Sequence, residues 1–321
     1  MKLCFILDPL PLIKPYKDST YAMMAEAAKR GHDLYAMMQE SLMWKGGRVL
    51  GGVTPITLTG DEEDWYRLGA SEEISLEKFD AVLMRKDPPF DMEYVTSTWL
   101  LERAVAQGAR VLNHPPSLRD HSEKLAIAEF PQFTVPTLVT RLGWEIQAFI
   151  DEQRDTVLKP LDGMGGAGIF RVAQNDPNRN VIVETLCEHG RRTVMAQRYI
   201  PEISEGDKRV LLIAGKVVPY SLARIPKAGE SRGNLAAGGT GVAQPLSARD
   251  RQIAETLGPI LAARGLLLVG LDIIGDYLTE VNVTSPTCFR EIEAQTGFNV
   301  AGMFIDAVEN FVSNATAKLR T

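Results

Sequence analysis

Residues 156–172, TVLKPLDGMGGAGIFRV, decide how the rest of this chain is read. Thr156 to Leu158 form a β-branched and apolar run that brings Lys159 to the mouth of a loop holding Gly163, Gly165, Gly166 and Gly168. A second strand-like run, Ile169 to Val172, follows. Gly163, Gly165 and Gly168 satisfy G-x-G-x-x-G, but that dinucleotide fingerprint needs a helix directly after the glycines, to set its N-terminus against the pyrophosphate. A strand follows here. A P-loop is excluded too, because Lys159 precedes the glycines and no Gly-Lys-Ser/Thr closes the motif. Two readings remain: a strand–turn–strand flap whose backbone amides, at Gly165 and Gly166, close over nucleotide phosphates beside Lys159, or an ordinary glycine-rich hairpin.

The 321-residue length predicts two or three domains. Hydrophobic content of 45% with 24% charged residues excludes a disordered chain. The net charge of -6 argues against nucleic acid as partner, and obliges any nucleotide to find local Lys, Arg and a divalent cation. Cys4, Cys187 and Cys288 are far apart, so neither a disulfide framework nor a zinc site is indicated and a reducing compartment is expected. Met1 to Leu7 is too brief for a signal peptide, and no apolar run is long enough to span a membrane.

Residues 1–121 alternate strands and helices, which predicts a parallel sheet covered by helices. Strands are expected at Lys2–Leu7, Leu34–Met38, Thr54–Leu58, Ala81–Arg85 and Arg110–Asn113, with a helix capped by Asp18 or Ser19 and ending at Gly31. Ligands gather beyond strand C-termini in such sheets, where Asp8 and Arg85 to Pro89 fall; loop stiffness and solubility explain the same residues. Pro115-Pro116 marks a boundary, and Ser117–Phe130, carrying Lys124, reads as a helix. Strand Val194–Ile200 ends at Pro201, with Gln197, Tyr199 and Ile200 forming either an adenine slot or an ordinary edge strand. A hairpin turns at Ala214-Gly215. Ile225 to Gly241 then lacks apolar periodicity and carries Lys227, Arg232 and Asn234, which favours a lid over a linker.

Asp272, Glu280 and Asn282 lie on one expected hairpin, in LVGLDIIGDYLTEVNVTSP. Glu280 and Asn282 are two apart and share a face. A two-residue Gly275-Asp276 turn would pair Asp272 with Thr279, whereas a three-residue loop, Gly275 to Tyr277, pairs it with Glu280; the longer, bulged turn is predicted. Hard oxygen ligands without His or Cys suit Mg²⁺ completing its shell from phosphates and water. A solvent-facing polar edge is the alternative.

In order along nearly the whole chain, LMRKDPPFD, SLRD followed by EKL, LKPLDGMGGAGIFRV, GDKRVL, ARIP, ESRGNLAAGGTG, VGLDIIGD and TEVNVTSPT resemble the prokaryotic glutathione synthetases, among the ATP-grasp ligases. The resemblance implies an α/β chain, α+β in its ATP-binding part. An N-terminal parallel α/β domain (1–121) would precede a central ATP-grasp unit with the flap (122–200) and a C-terminal unit with the metal hairpin and lid (201–321). It implies ATP-dependent joining of γ-glutamylcysteine and glycine through an acyl phosphate, with Mg²⁺ or Mn²⁺, in a cytoplasmic homotetramer. Lys124 and Lys159 would meet the nucleotide phosphates, Gln197, Tyr199 and Ile200 the adenine, and Asp207 the ribose. Asp272, Glu280 and Asn282 would hold the metals, and Arg209 and Arg224 would neutralise the transferring phosphoryl group. Arg232 and Asn234 would close over the acyl phosphate; Ser285, Pro286 and Thr287 would border the acceptor, and Asp18, Ser19 and Arg85 the γ-glutamyl end. Another ATP-grasp carboxylate–amine ligase and a non-catalytic nucleotide-binding module are the rivals, and the second has no need of Arg209 and Arg224.

Overall fold

The computed structural model describes residues 1–318 apart from Met164, Ser231, Ala236 and Ala237, so one position of the expected flap and three of the expected lid lie outside the described residues. The described strands form three sheets. The first holds β1 (Lys2–Leu7), β2 (Asp33–Met38), β3 (Met43–Lys45), β4 (Arg48–Leu58), β5 (Tyr66–Leu68), β6 (Glu72–Ser75), β7 (Ala81–Met84) and β8 (Val111–Leu112). Its centre, β2-β1-β7-β8, is parallel. β1 and β7 are apolar almost throughout because both faces are covered. The expectation for Thr54–Leu58 is corrected: it is the end of a longer strand, β4, which runs antiparallel to β2 and carries β3, β5 and β6 as a polar-edged wing.

Helix α1 (Ser19–Lys29) begins where the Asp18 carboxylate accepts the Tyr21 N–H at 2.7 Å, and α2 (Met92–Ala106) where Asp91 does the same for Tyr94. Tyr94, Leu101 and Ala104 of α2 face the core, while Val105 is only partly covered. The single helix expected over Ser117–Phe130 is broken. α3 (Pro115–Asp120) stops, and a 3-10 segment resumes at Leu125. Tertiary bonds outcompete local propensity at the break, because Glu123 Oε1 accepts from the Val283 and Thr284 amides at 2.8 and 3.0 Å.

The second sheet is antiparallel, in the order β11-β10-β12-β9, from β9 (Thr137–Thr140), β10 (Asp155–Pro160), β11 (Phe170–Ala173) and β12 (Val194–Arg198). α4 (Gly143–Gln153) and α5 (Arg179–Leu186) cover one face through Ile146, Ile150 and Val183. β12 is therefore an inner strand, which removes the edge-strand reading of Gln197. Tyr199 and Ile200 lie just beyond it, where Pro201 cannot donate to the ladder.

The third sheet runs β15-β14-β13-β16-β17, from β13 (Asp207–Ile213), β14 (Lys216–Ile225), β15 (Thr240–Pro245), β16 (Leu268–Ile274) and β17 (Tyr277–Asn282). Ala214 and Gly215 both take positive φ, which matches a tight hairpin turn to strand twist. α6 (Ala248–Ala263) opens on a capping box between Ser247 and Asp250, and α7 (Phe289–Thr296) and α8 (Val300–Lys318) follow. Gly241, expected in the lid, belongs to β15.

The predicted three-residue loop in the acidic hairpin is not formed. Ile274 pairs with Tyr277 across the two-residue turn Gly275-Asp276, and Asp272 still pairs with Glu280 because Thr279 bulges out of β17. The bulge also explains why Leu278 and Val281, three apart, are both fully buried. Thr279 Oγ1 donates to the Asp272 carbonyl at 3.1 Å, which anchors the extra residue.

Candidate functional site

A cavity of about 500 Å³, large enough for a nucleotide with a small substrate, is lined by strand residues of the second and third sheets and by the turns that follow β1 and β7 of the first. On the flap side it takes Lys124, Lys159, Gly165 and Gly166. Lys159 leaves the end of β10 as a buried side chain, with Nζ donating to the Thr279 carbonyl at 3.3 Å. Lys124 Nζ donates to the Gly163 carbonyl at 2.5 Å. Both ammonium groups stand 3.6 Å from Glu280 Oε1. Burial lowers the Lys159 pKa, and Glu280 opposes the shift. Two buried ammoniums sharing one carboxylate leave positive charge for an anionic ligand.

At the next wall stand Gln197, Tyr199, Ile200 and Asp207. Gln197 Nε2 donates to Thr137 Oγ1 at 3.1 Å across the sheet, and the Arg171 guanidinium lies 3.7 Å from the Tyr199 ring centre. These contacts fix an apolar slot with a polar rim.

Opposite lies a network of charges set by strand register. Asp272 on β16 pairs with Arg209 on β13, and Asp207 with Arg224 on β14. Arg209 Nε and Nη2 hold the two Asp272 oxygens at 2.6 and 3.2 Å, and Arg224 Nη2 reaches Asp272 Oδ2 at 2.8 Å and Asp207 Oδ2 at 2.5 Å. Burial alone would raise the Asp272 pKa, but the two guanidiniums hold it well below the ordinary carboxylate value. Burial pushes Asp207 up to about 7 against the pull of Arg224, with Asp272 and Glu280 adding to the rise, and its Oδ1 has no hydrogen-bond partner. Arg224 is itself raised, as a paired cation should be. Asp272 holds two guanidiniums and keeps the negative charge, so Asp207 is the carboxylate of the pair that takes up a proton first as pH falls.

Asp272, Glu280 and Asn282 all line the cavity. Among the described residues no group of three His, Cys, Asp or Glu side chains forms a protein-only metal cage. Asn282 Nδ2 donates to the Gly270 carbonyl at 3.2 Å, which leaves Oδ1 as its ligating atom. An all-oxygen set with few carboxylates fits a hard divalent cation that draws the rest of its shell from phosphate and water. Asp272 would have to share its oxygens between that cation and the arginines.

Arg232 and Asn234 reach the cavity from the expected lid. Arg232 Nη2 pairs with Glu230 Oε2 at 2.6 Å, and a Cβ on Gly166 would lie 2.9 Å from both Arg232 Cδ and Asn234 Oδ1. The lid and flap therefore interlock at a glycine with φ +83.

Of the residues expected around the smaller substrates, Asp18, Ser285 and Thr287 line the cavity, while Ser19, Arg85 and Pro286 do not. Arg85 is buried behind the wall, with Nε donating to Thr20 Oγ1 at 3.2 Å and Nη2 to the Pro286 carbonyl at 3.0 Å. Ser19 Oγ accepts the Phe289 N–H at 3.2 Å. A strand-end arginine reads as a ligand group in sequence, but here it clamps the loop that carries Ser285 and Thr287. Sequence reasoning missed Lys17, Glu123, Cys288 and Glu291, which also line the cavity. Glu123 directly precedes Lys124, and that adjacency was the available signal; Glu291 had none, since its place depends on packing between α7 and α1.

The family model described as the N-terminal domain of prokaryotic glutathione synthetase matches residues 1–119, and that of its ATP-grasp domain residues 123–297. The chain is 63% identical over 319 residues to the glutathione synthetase of Ralstonia nicotianae, covering 99% of this chain and 98% of that one. It is 64% identical over 316 residues to that of Nitrosomonas europaea, covering 98% and 99%. Among solved structures, D-cycloserine synthetase superimposes with a TM-score of 0.65 at 16% identity, covering 97% of this chain and 100% of that one. The ATP-grasp ligase PsnB, complexed with a minimal precursor, Mg and ADP, gives 0.62 at 17%, covering 97% and 98%. These structural likenesses speak to the fold.

Proposed function

The chain belongs to the prokaryotic glutathione synthetase family, and from that premise we propose how its cavity performs the reaction. The protein is an ATP-dependent ligase that forms glutathione. A carboxylate is a poor electrophile. Transfer of the ATP γ-phosphoryl group to the cysteinyl carboxylate of γ-glutamylcysteine makes an acyl phosphate, and the glycine amine displaces phosphate from it. Such transfer needs positioning and charge neutralisation rather than a protein nucleophile.

In this reading Lys124, Lys159 and the Gly165 and Gly166 amides hold the nucleotide phosphates, Gln197, Tyr199 and Ile200 the adenine, and Asp207 the ribose. Arg209 and Arg224 neutralise the phosphoryl group in flight, and Arg232 with Asn234 closes over the acyl phosphate. Ser285 and Thr287 border the glycine, with Pro286 held behind them, and Asp18 meets the γ-glutamyl end, with Ser19 and Arg85 as its support. Asp272, Glu280 and Asn282 would hold Mg²⁺ or Mn²⁺, whose charge offsets that of the phosphates. The proposed units are 1–121, 122–200 and 201–321. A cytoplasmic homotetramer is part of the proposal; among the described residues no helix is long and apolar enough to cross a membrane.

The observation that carries this reading is the meeting of Lys124, Lys159, Arg209 and Arg224 with the acidic hairpin in one cavity. A module that only binds nucleotide gains nothing from Arg209 and Arg224 locked beneath the reacting position. The deciding experiment supplies Mg²⁺-ATP, γ-glutamylcysteine and glycine and scores ADP and tripeptide together. Equal yields of both are expected. ADP release only with other acid–amine pairs would assign the cavity to a different ligase, and binding without turnover to a regulatory module.

A further inference from the structure

The end of the cavity away from the flap is built by the turn before α1, the segment after β7 and the first turn of α7. Its charged groups are Lys14, Lys17, Asp18, Asp87 and Glu291. Glu291 differs from the other acids. Its Oε2 is buried and, in a structure where most buried polar atoms are satisfied, has no hydrogen-bond partner. Asp18, by contrast, already accepts the Tyr21 amide as helix cap. Burial raises the Glu291 pKa, opposed by a bond from its own backbone amide and by Lys17 and Arg290, and reinforced by Asp18. The Phe289 N–H bond to Ser19 ties the start of this helix to α1 and keeps Glu291 at the same cavity wall as Lys17 and Asp18.

A γ-linked glutamyl group keeps both its α-ammonium and its α-carboxylate free. We propose that Glu291 is the specificity-determining residue for that zwitterionic head: its Oε2 accepts from the donor's α-ammonium, while Lys14 and Lys17 face the α-carboxylate. The inference rests on the functional reading above and names a contact that the sequence reasoning did not find. An α-linked dipeptide, whose free ammonium sits next to the peptide bond, would place no cation there.

The test compares γ-glutamylcysteine with N-glutarylcysteine, which lacks only the α-amino group, in the wild type, Glu291→Gln and Glu291→Asp. For Glu291→Gln the KM for γ-glutamylcysteine is expected to rise on the order of 10²-fold, the scale for losing one partner of a buried charge pair. The KM for N-glutarylcysteine and for ATP should not move, which also shows that the variant is folded. Glu291→Asp should keep part of the preference. Equal KM changes for both donors, or none, would overturn the assignment. A wild type that does not convert γ-glutamylcysteine at all would overturn the functional reading, whatever Glu291 does, and this inference with it.

Discussion

Two sets of arginines serve the same cavity and are built in opposite ways. Arg209 and Arg224 grow from neighbouring strands, have side chains only 8% and 5% exposed, and are held by Asp272 between them. Arg232 stands on the glycine-rich loop, is 35% exposed, and pairs with Glu230 only two residues away. The first pair is already in place, so it costs no reorganisation when charge develops on a transferring phosphoryl group. The second must exchange a local partner for the ligand, and that suits a group that arrives after substrates have bound. In the proposed mechanism the rigid pair serves rate, and the exchangeable arginine protects a reactive intermediate from water.

The largest effect should come from breaking the rigid half. Arg209→Met is expected to lower kcat by roughly 10²- to 10³-fold, as removing one preorganised charge contact does elsewhere. It should also destabilise the fold, by less than the about 3–5 kcal/mol of a buried charge left wholly unpaired, because Asp272 would lose one of its two guanidiniums and keep Arg224. Steady-state kinetics and thermal unfolding measure the two together, and a variant that lost turnover with unchanged stability would contradict the shared network. Shortening Ile225–Gly241 probes the exchangeable half. ADP release should then exceed tripeptide formation by several-fold, the order of a lost gating step, while stability barely moves. A coupling ratio that stays at one would sink the protective role of the lid.

The smallest effect sharpens the division within the rigid network. Asp272, held below its ordinary value by the two arginines, contributes stability that is present above about pH 4 and lost as pH falls. Asp207 acts with the opposite sign. Its folded value of about 7 lies above the ordinary 3.8, so the folded state keeps a proton that the unfolded chain has released, and stability declines as pH rises between the two. Asp207→Asn should flatten that limb, by a few degrees in Tm at most, in unfolding scans of the ligand-free protein from pH 5 to 8. A limb of unchanged slope would mean that Asp207 is ionised beside Arg224.

Local spacing made some of this legible. The glycine turn with Lys159 at its mouth, and Glu280 and Asn282 two apart on a strand, depend on backbone periods that hold wherever a strand forms. The cap at Asp18 and the tight turn at Ala214-Gly215 follow from short-range chemistry as well. The broken helix before Leu125 was not legible, because long-range bonds from Glu123 to the end of the acidic hairpin decide it. Nor was the placement of Arg85, whose charge looks the same in sequence whether it lines a cavity or, as here, lies behind the wall with Nη2 on the Pro286 carbonyl.

By itself the sequence determined the class of chemistry: phosphate-binding glycines, oxygen ligands on a hairpin, and an ordered set of motifs along nearly the whole chain. Only the tertiary structure decided which side chains share the cavity. One bulged residue, Thr279, keeps Asp272 opposite Glu280 despite the shorter turn. The contact between α7 and α1 brings Glu291 to Asp18 although they lie far apart in the chain. Strand register and helix docking are set by packing across hundreds of residues, and a one-residue shift of a strand reverses which face each of its side chains occupies.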